Sequence, residues 1–434
     1  MACARGLRRA ALAAALLTTA GWLPTFWADR TLRADLDASG PTATAEGHWP
    51  QFRGPNRDLI SPDTRLLREW PEAGPPLVWK SERSGQGYSS VSVVDGRVYT
   101  QGHLGSEERV IALDAETGSH IWSVVAGPAA SVQSPGSRST PTVDGDHLYV
   151  ESVGGDVACL DTTKGRDVWR RHLVADFKGR PRPWGYSESP LVDGDRLICT
   201  PGSKDATVVA LDKRSGDVLW KGRSPTADGA SYASPIAIEA GGVRQVVIFV
   251  AGGVMGFRAS DGEFLWRQSR SANPNANITT PVYRDGSLFS ASSYGGGGAL
   301  VHITPEQDGF SAQLVYHTKH MKNHHGGFVI VDNYIYGANE SVWTCLNFKT
   351  GDVMWADRSV GKGSVVYADG YLYLRDQDGP VALVKATPDG YIETGRFSQP
   401  HRSGEPAWAY PVITGGRLYL RDQNVLLCYD LRRR

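Results

Sequence analysis

The chain has 434 residues, of which 46 are Lys or Arg and 46 are Asp or Glu, so its formal net charge is zero. A neutral chain carries no long-range field for nucleic acid or an anionic membrane surface, and neither partner is expected. Fifty Gly and 25 Pro beside 21% charged residues suit a soluble, turn-dense all-β chain.

The first element is a targeting segment. Arg5, Arg8 and Arg9 precede the apolar run 10–20, which ends on small residues. Trp22 to Trp27 prolongs that run, so residues 1–27 read as a cleaved signal peptide or an uncleaved signal anchor. The expected location follows: exported to the periplasm, or anchored and facing it, with the anchor as the sole tie to a membrane. Cys3 lies ahead of the apolar run and is not placed for lipid attachment. Residues 28–48, rich in Ala, Thr and Asp, read as a flexible linker. Residues 49–434 read as one domain. It opens on Trp49-Pro-Gln-Phe-Arg-Gly-Pro-Asn-Arg-Asp58, expected to pack as a clamp across one face.

After Pro76-Leu-Val-Trp79-Lys, a strand with no unit before it, the chain becomes repetitive. Ala112-Leu-Asp-Ala-Glu-Thr-Gly-Ser-His-Ile-Trp122 returns as Cys159-Leu-Asp-Thr-Thr-Lys-Gly-Arg-Asp-Val-Trp169 and as Ala210-Leu-Asp-Lys-Arg-Ser-Gly-Asp-Val-Leu-Trp220. Weaker copies end at Trp266 and Trp355. In each, the Asp carboxylate can accept backbone N–H groups two residues on, and the Gly suits a left-handed turn. Upstream lies a second hairpin, marked by Asp95-Gly96, Asp144-Gly145, Asp193-Gly194, Asp285-Gly286 and Asp369-Gly370. A self-similar unit of about 40–50 residues made of short strands predicts a propeller blade, because one unit alone cannot bury its apolar faces.

Inner strands are expected near Ser89, Ser139, Ser189, Tyr232, Thr279, Gly326, Gly363 and Ala407, which gives eight four-stranded antiparallel blades. Units five and seven lose the consensus, and unit eight stops before its outermost strand. Residues near 77–82 are therefore expected to complete the last blade and close the ring, removing an exposed edge. Cys159, Cys345 and Cys428 occupy the small slot held elsewhere by Ala112 and Ala210, so they are expected to be buried thiols too far apart to bridge. A monomer is expected.

Chemistry is expected where the inner strands begin, because eight starts converge on one mouth of the channel. The tracts there are rich in Tyr88, Arg138, Tyr186, Glu188, Tyr232, Asn277, Asn323, His324, His325, Lys362, Glu405 and Trp408. A carboxylate, a guanidinium and two imidazoles in one concavity can bind or polarise a polar ligand. His320 and His324 are four apart on a loop without a helical Glu-containing pattern, so zinc is not expected there.

The Ala-x-Asp-x-x-Thr-Gly-x-x-x-Trp motif resembles the repeat of the pyrroloquinoline-quinone-type propellers over about residues 76–431. That superfamily holds eight-bladed quinoprotein alcohol dehydrogenases and the propeller lipoprotein of the outer-membrane β-barrel assembly machinery. In the dehydrogenases a Glu and an Asn from separate blades hold Ca²⁺, an Asp acts as base, and adjacent cysteines form a ring over the cofactor. The resemblance implies Glu188 and Asn277 as calcium ligands. Glu188 and His325 would be the catalytic pair, and Arg138, Glu188, Asn277, His324, Lys362 and Trp408 would contact pyrroloquinoline quinone. The chain departs from that pattern in having no Cys-Cys pair and no Asp in Lys319-His-Met-Lys-Asn-His-His325. The leading expectation is an exported binding propeller holding a protein or small polar ligand at the mouth. A quinoprotein dehydrogenase for alcohols or sugars is the alternative.

Overall fold

The computed structural model describes residues 47–307 and 309–433. The targeting segment and all but the last two residues of the expected linker lie outside the described residues. No helix among the described residues is long and apolar enough to cross a membrane.

Eight four-stranded antiparallel sheets make up the ring. Blade three, for example, comprises Leu191–Asp193, Arg196–Cys199, Val208–Asp212 and Val218–Gly222. First strands of neighbouring blades touch one another in several places around the ring, which makes the first strand the innermost. The one described helix is the five-residue Leu173–Phe177, capped by the His172 imidazole.

Closure is as the repeat count requires. Leu77–Ser81 pairs antiparallel with Val425–Asp430, setting Trp79 opposite Cys428 and Lys80 opposite Leu427. It supplies the outermost strand of blade eight, so the first and last of the described strands are locked in one sheet. Removing residues 1–82 should leave that sheet with an open edge. The truncated protein is expected to aggregate in size-exclusion chromatography, whereas a monomer with unchanged cooperative unfolding would contradict the closure.

The inner hairpins use two related turns. Asp95 and Gly96 both lie in the left-handed region (φ 49° and 72°), as do Asp285–Gly286 and Asp369–Gly370. Such doubly positive turns match the right-handed twist of the strands they join. In blades two and three the strands end on Asp144 and Asp193, so the turn is Gly145-Asp146 and Gly194-Asp195, shifted by one residue from the Asp-Gly reading. Only the leading Gly is then left-handed.

The repeat motif couples each blade to the next. The small slot residue faces the Trp across the outer pair, as in Ala112 with Trp122, Cys159 with Trp169 and Ala210 with Trp220, and each pair sits at a bulge. The indole then reaches into the following blade. Trp122 Nε1 donates to the Thr162 carbonyl (3.3 Å), Trp169 to Lys213 (3.0 Å) and Trp220 to Ala259 (3.0 Å). Each ring packs on the Gly of that blade's outer turn: Gly165 under Trp122 and Gly216 under Trp169 in Asp-x-x-x-Gly turns, and Gly262 under Trp220 in a turn that opens on Arg258. A Cβ on Gly262 would stand 2.4 Å from the Trp220 ring. The turn itself is held by its acid. Asp114 accepts from the Thr117 hydroxyl (2.8 Å), the Thr117 N–H (2.8 Å) and the Glu116 N–H (3.1 Å). Those bonds, the Thr117 hydroxyl foremost, hold its carboxyl below the usual range. The four described cysteines are buried and unbridged.

Where the consensus fails, substitutes appear. In blade five Tyr316 takes the indole's place and donates from its hydroxyl to the Phe348 carbonyl (2.9 Å) over Gly351. Blade five also replaces the Gly turn with a long hairpin, Gly297–Glu306 and Gly309–Thr318. Trp266 of blade four, left without a turn to dock on, donates instead to Gln245 in its own sheet (2.7 Å). In blade seven the slot partner is Gly395, and Trp70 from the N-terminal segment fills the space beside it, 5.4 Å from the Phe397 ring.

Removing one docked indole deletes a large buried surface and orphans a carbonyl. Trp220→Ala is expected to cost about 3–5 kcal/mol in chemical denaturation. Gly262→Ala should destabilise through the same contact, whereas Gly96→Ala, with no atom within 4 Å of the added carbon, should cost only its left-handed backbone, about 1–2 kcal/mol. Equal losses at the two glycines would refute the docking account.

Candidate functional site

The N-terminal segment shapes the site. Rather than clamping one face, residues 49–61 enter the channel and bind the inner strands or their approaches. Trp49 exchanges two backbone hydrogen bonds with Val93 of blade one (2.8 Å each), and Val143 N–H of blade two donates to the Pro50 carbonyl (2.8 Å). Ser61 N–H donates to the Tyr367 carbonyl of blade seven (2.8 Å), and Tyr367 N–H to the Leu59 carbonyl (2.9 Å). Between them two buried guanidiniums reach outward. Arg57 donates to the carbonyls of Ser189 (2.9 Å) and Pro235 (3.0 Å), at the approaches to blades three and four. Arg53 donates to those of Thr280 and Phe328, at blades five and six. Burial lowers the affinity of both for their protons, Arg57 to about 9 with Glu188 opposing the shift. The segment turns back on itself through left-handed Arg53, Gly54, Arg57 and Leu59.

Above this plug lies a cavity of about 400 Å³, within the range that accepts a small ligand. Phe52 of the plug meets Tyr410 edge-on at 5.1 Å, and both face the cavity. All eight approaches contribute to its walls: Tyr88, Arg138, Ser187, Tyr232, Ile278, His324 with His325, Lys362, and Trp408 with Tyr410. The convergence expected from the repeat is therefore present. Tyr88, Arg138, Tyr232, His324, His325, Lys362 and Trp408 are in one place.

The other expected members are elsewhere. Tyr186 is buried and donates to the Pro201 carbonyl (3.0 Å). Asn323 is spent on the Gly327 and Ala338 carbonyls (2.7 and 3.0 Å) and on the Thr279 hydroxyl. Glu405 is exposed and is not among the lining residues. Asn277 accepts from the N–H (3.0 Å) and the amide (3.2 Å) of Asn273 and donates to the Val250 carbonyl (3.0 Å). Both of its oxygen lone pairs are thereby occupied, so it offers a calcium ion nothing in this arrangement. Glu188 accepts the Thr200 N–H and lies against Glu151 and Cys199 rather than Asn277. Glu188 and His325 thus do not share one site: His325 faces the cavity, and Glu188 is buried outside its walls. No catalytic step through a bound quinone and calcium is derived from these positions.

Trp184, Tyr294, Gln377 and Phe52 line the cavity without having been picked out from the sequence. Tyr294 and Gln377 sit on the loops between second and third strands, which return to the same end as the inner-strand starts.

Rings form an arc along the wall. Tyr294 meets His324 at 5.0 Å, His324 meets His325 at 3.7 Å, His325 stacks on Trp408 at 4.2 Å, and Trp408 meets Tyr88 at 4.7 Å. The Arg138 guanidinium caps the arc, 5.7 Å from the Tyr88 ring. Burial pushes the His324 imidazolium down to about 4, with Lys362 adding to the shift. It pushes His325 well below its ordinary value, with His324 and Lys362 adding. Both imidazoles are neutral at pH 7.

Next to Arg57 the pair Glu151 and Glu188 is wholly buried. Burial, then the neighbouring Glu188 carboxylate, raises the Glu151 carboxyl well above its usual range, and burial raises Glu188 to about 7. Burial thereby favours a protonated Glu151 carboxyl in the fold. The unfolded chain releases that proton above about pH 4.3, so the stability it brings is lost as pH rises from there through the raised folded-state value. Glu151→Gln removes the need for that proton. Its melting temperature is expected to exceed the wild type's at neutral pH, with a shallower decline between pH 5 and 8 in thermal melts; a lower melting temperature at pH 7 would mean that an ionised Glu151 is required.

An eight-bladed ring latched by Trp on Gly defines a propeller of the pyrroloquinoline-quinone-type repeat class. The family model described as outer membrane protein assembly factor BamB matches residues 59–140 and 107–357, more than half of the chain, and the chain belongs to that family. A BamB of Moranella endobia (strain PCIT) is 25% identical over 281 residues, 61% of this chain and 69% of that protein. The serine/threonine-protein kinase AfsK of Streptomyces griseus is 32% identical over 150 residues, 35% of this chain but only 17% of the kinase. Among solved structures, the quinohemoprotein alcohol dehydrogenase ADHIIG of Pseudomonas putida HK5 superposes with a TM-score of 0.62 at 13% identity, covering 89% of this chain and 80% of that one. At that identity the likeness is one of fold.

Proposed function

We propose that this protein is an exported binding propeller, a scaffold that holds a protein or small polar ligand at its plugged channel mouth. One observation carries the reading: a blind cavity into which all eight blades feed, walled by rings and two cations and closed below by the chain's own plug. Family membership supports a scaffold role, since the matching model and the Moranella relative are named for outer membrane protein assembly. The dehydrogenase alternative is not favoured, because Asn277 has no oxygen lone pair to spare and no Cys-Cys pair exists.

Tyr294 on the rim and Leu219 on an outer strand are about equally accessible, 46% and 49% exposed. A photo-crosslinking amino acid at each position of the full-length protein compares mouth and outer wall in living cells. Adducts recovered from position 294 and not from 219, in the periplasmic fraction, are expected. Adducts only from 219, or a protein confined to the cytoplasm, would refute the proposal.

A further inference from the structure

Resting on that reading of the mouth, we infer that the cavity takes a small anion with a flat apolar face, an aromatic carboxylate being the simplest case. The charge balance of the walls is the first reason. Arg138 and Lys362 both face the cavity, and no Asp or Glu is among the lining residues. Neither cation is in an ion pair. Arg138 donates to the carbonyls of Gln133 (2.8 Å), Ser134 (2.6 Å) and Gly136 (3.1 Å), which fix its position without cancelling its charge. The Lys362 ammonium makes no hydrogen bond or ion pair with any described residue. Its nearest acidic influence, Glu340, lies in an adjoining crevice and acts only through space. Burial already weakens the hold of both groups on their protons. An anion arriving between them would relieve that cost.

Unused hydrogen-bonding groups are the second reason. The Nδ1 atoms of His324 and His325 are buried without a protein partner, though both side chains line the cavity. Groups of this kind are costly unless something else meets them. Shape is the third. The arc from Tyr294 to Tyr88 leaves ring faces on the wall, and Trp184 stands across Tyr232 at 5.7 Å and 75°. Flat faces reward a flat ligand by stacking, while the cations select its charge.

The test uses the full-length protein and three probes: naphthalene-2-carboxylate, its neutral counterpart naphthalene-2-methanol, and acetate. Binding is followed by calorimetry and by the fluorescence of the cavity indoles. The aromatic carboxylate is expected to bind at least tenfold more tightly than either the neutral ring or the ringless anion. Lys362→Met should weaken it about tenfold while leaving the melting transition within a few degrees, since no protein partner is lost. Arg138→Gln should do the same; if loss of its three carbonyl contacts unfolds the loop, Lys362→Met alone decides. Glu405→Gln, outside the walls, should change nothing. Equal affinity for the alcohol, an unchanged affinity in Lys362→Met, or no binding of the carboxylate at millimolar concentration would each overturn the inference. Position 294 adducts persisting beside any of those results would leave the binding propeller standing and remove only this ligand class.

Discussion

One contact recurs at four of the eight blade junctions: an indole laid on a glycine that no larger residue could replace. A sheet of four short strands has two apolar faces and cannot stand alone. The Trp at the outer edge of one blade finds its hydrogen-bond acceptor only in the next, so a blade is completed by its neighbour. The left-handed Gly keeps the turn low enough for the ring to lie flat, and the Asp holds the turn in that shape. Where the contact is lost, as beside blade five, the Trp266 indole donates instead to Gln245 in its own sheet.

The plug solves a different problem. The approaches to the inner strands leave carbonyls aimed at the axis with no sheet partner, and a buried carbonyl needs a donor. Arg53 and Arg57 supply several donors each from two left-handed corners of one short segment. A guanidinium suits this task because its planar fork spreads bonds over two blades at once. In meeting the channel's need, the same segment gives the cavity its Phe52 floor.

The ring was legible because its signals are local and repeated. Asp-x-x-x-Gly, the following Trp and the small residue opposite all lie within eleven positions, and the missing outer strand of unit eight pointed to Trp79. The cavity was legible in part. The eight approaches are marked in the sequence, but the face each of their side chains takes is not. Ser187 lines the cavity while Glu188 turns away, and Ala276 and Ile278 line it while Asn277 does not. Side chains in an extended segment alternate between faces, so the carboxylate and amide that looked most reactive point into the protein. Trp184 and Tyr294 leave no signature in the sequence because their loops carry no repeat. The arginines of the plug leave none because a positive-φ hairpin inside a channel has no periodic signature.

The pairing of Leu77 with Tyr429 has a kinetic side. The first of the described strands to be synthesised finds its partner only when the last of them is available. Every intermediate before that moment is an open arc with two unsatisfied edges. Formation of so distant a contact is intrinsically slow, and open edges invite pairing with other chains. Synthesis and closure are therefore separate events for this molecule, and the interval between them is when its edges are open to pairing with other chains.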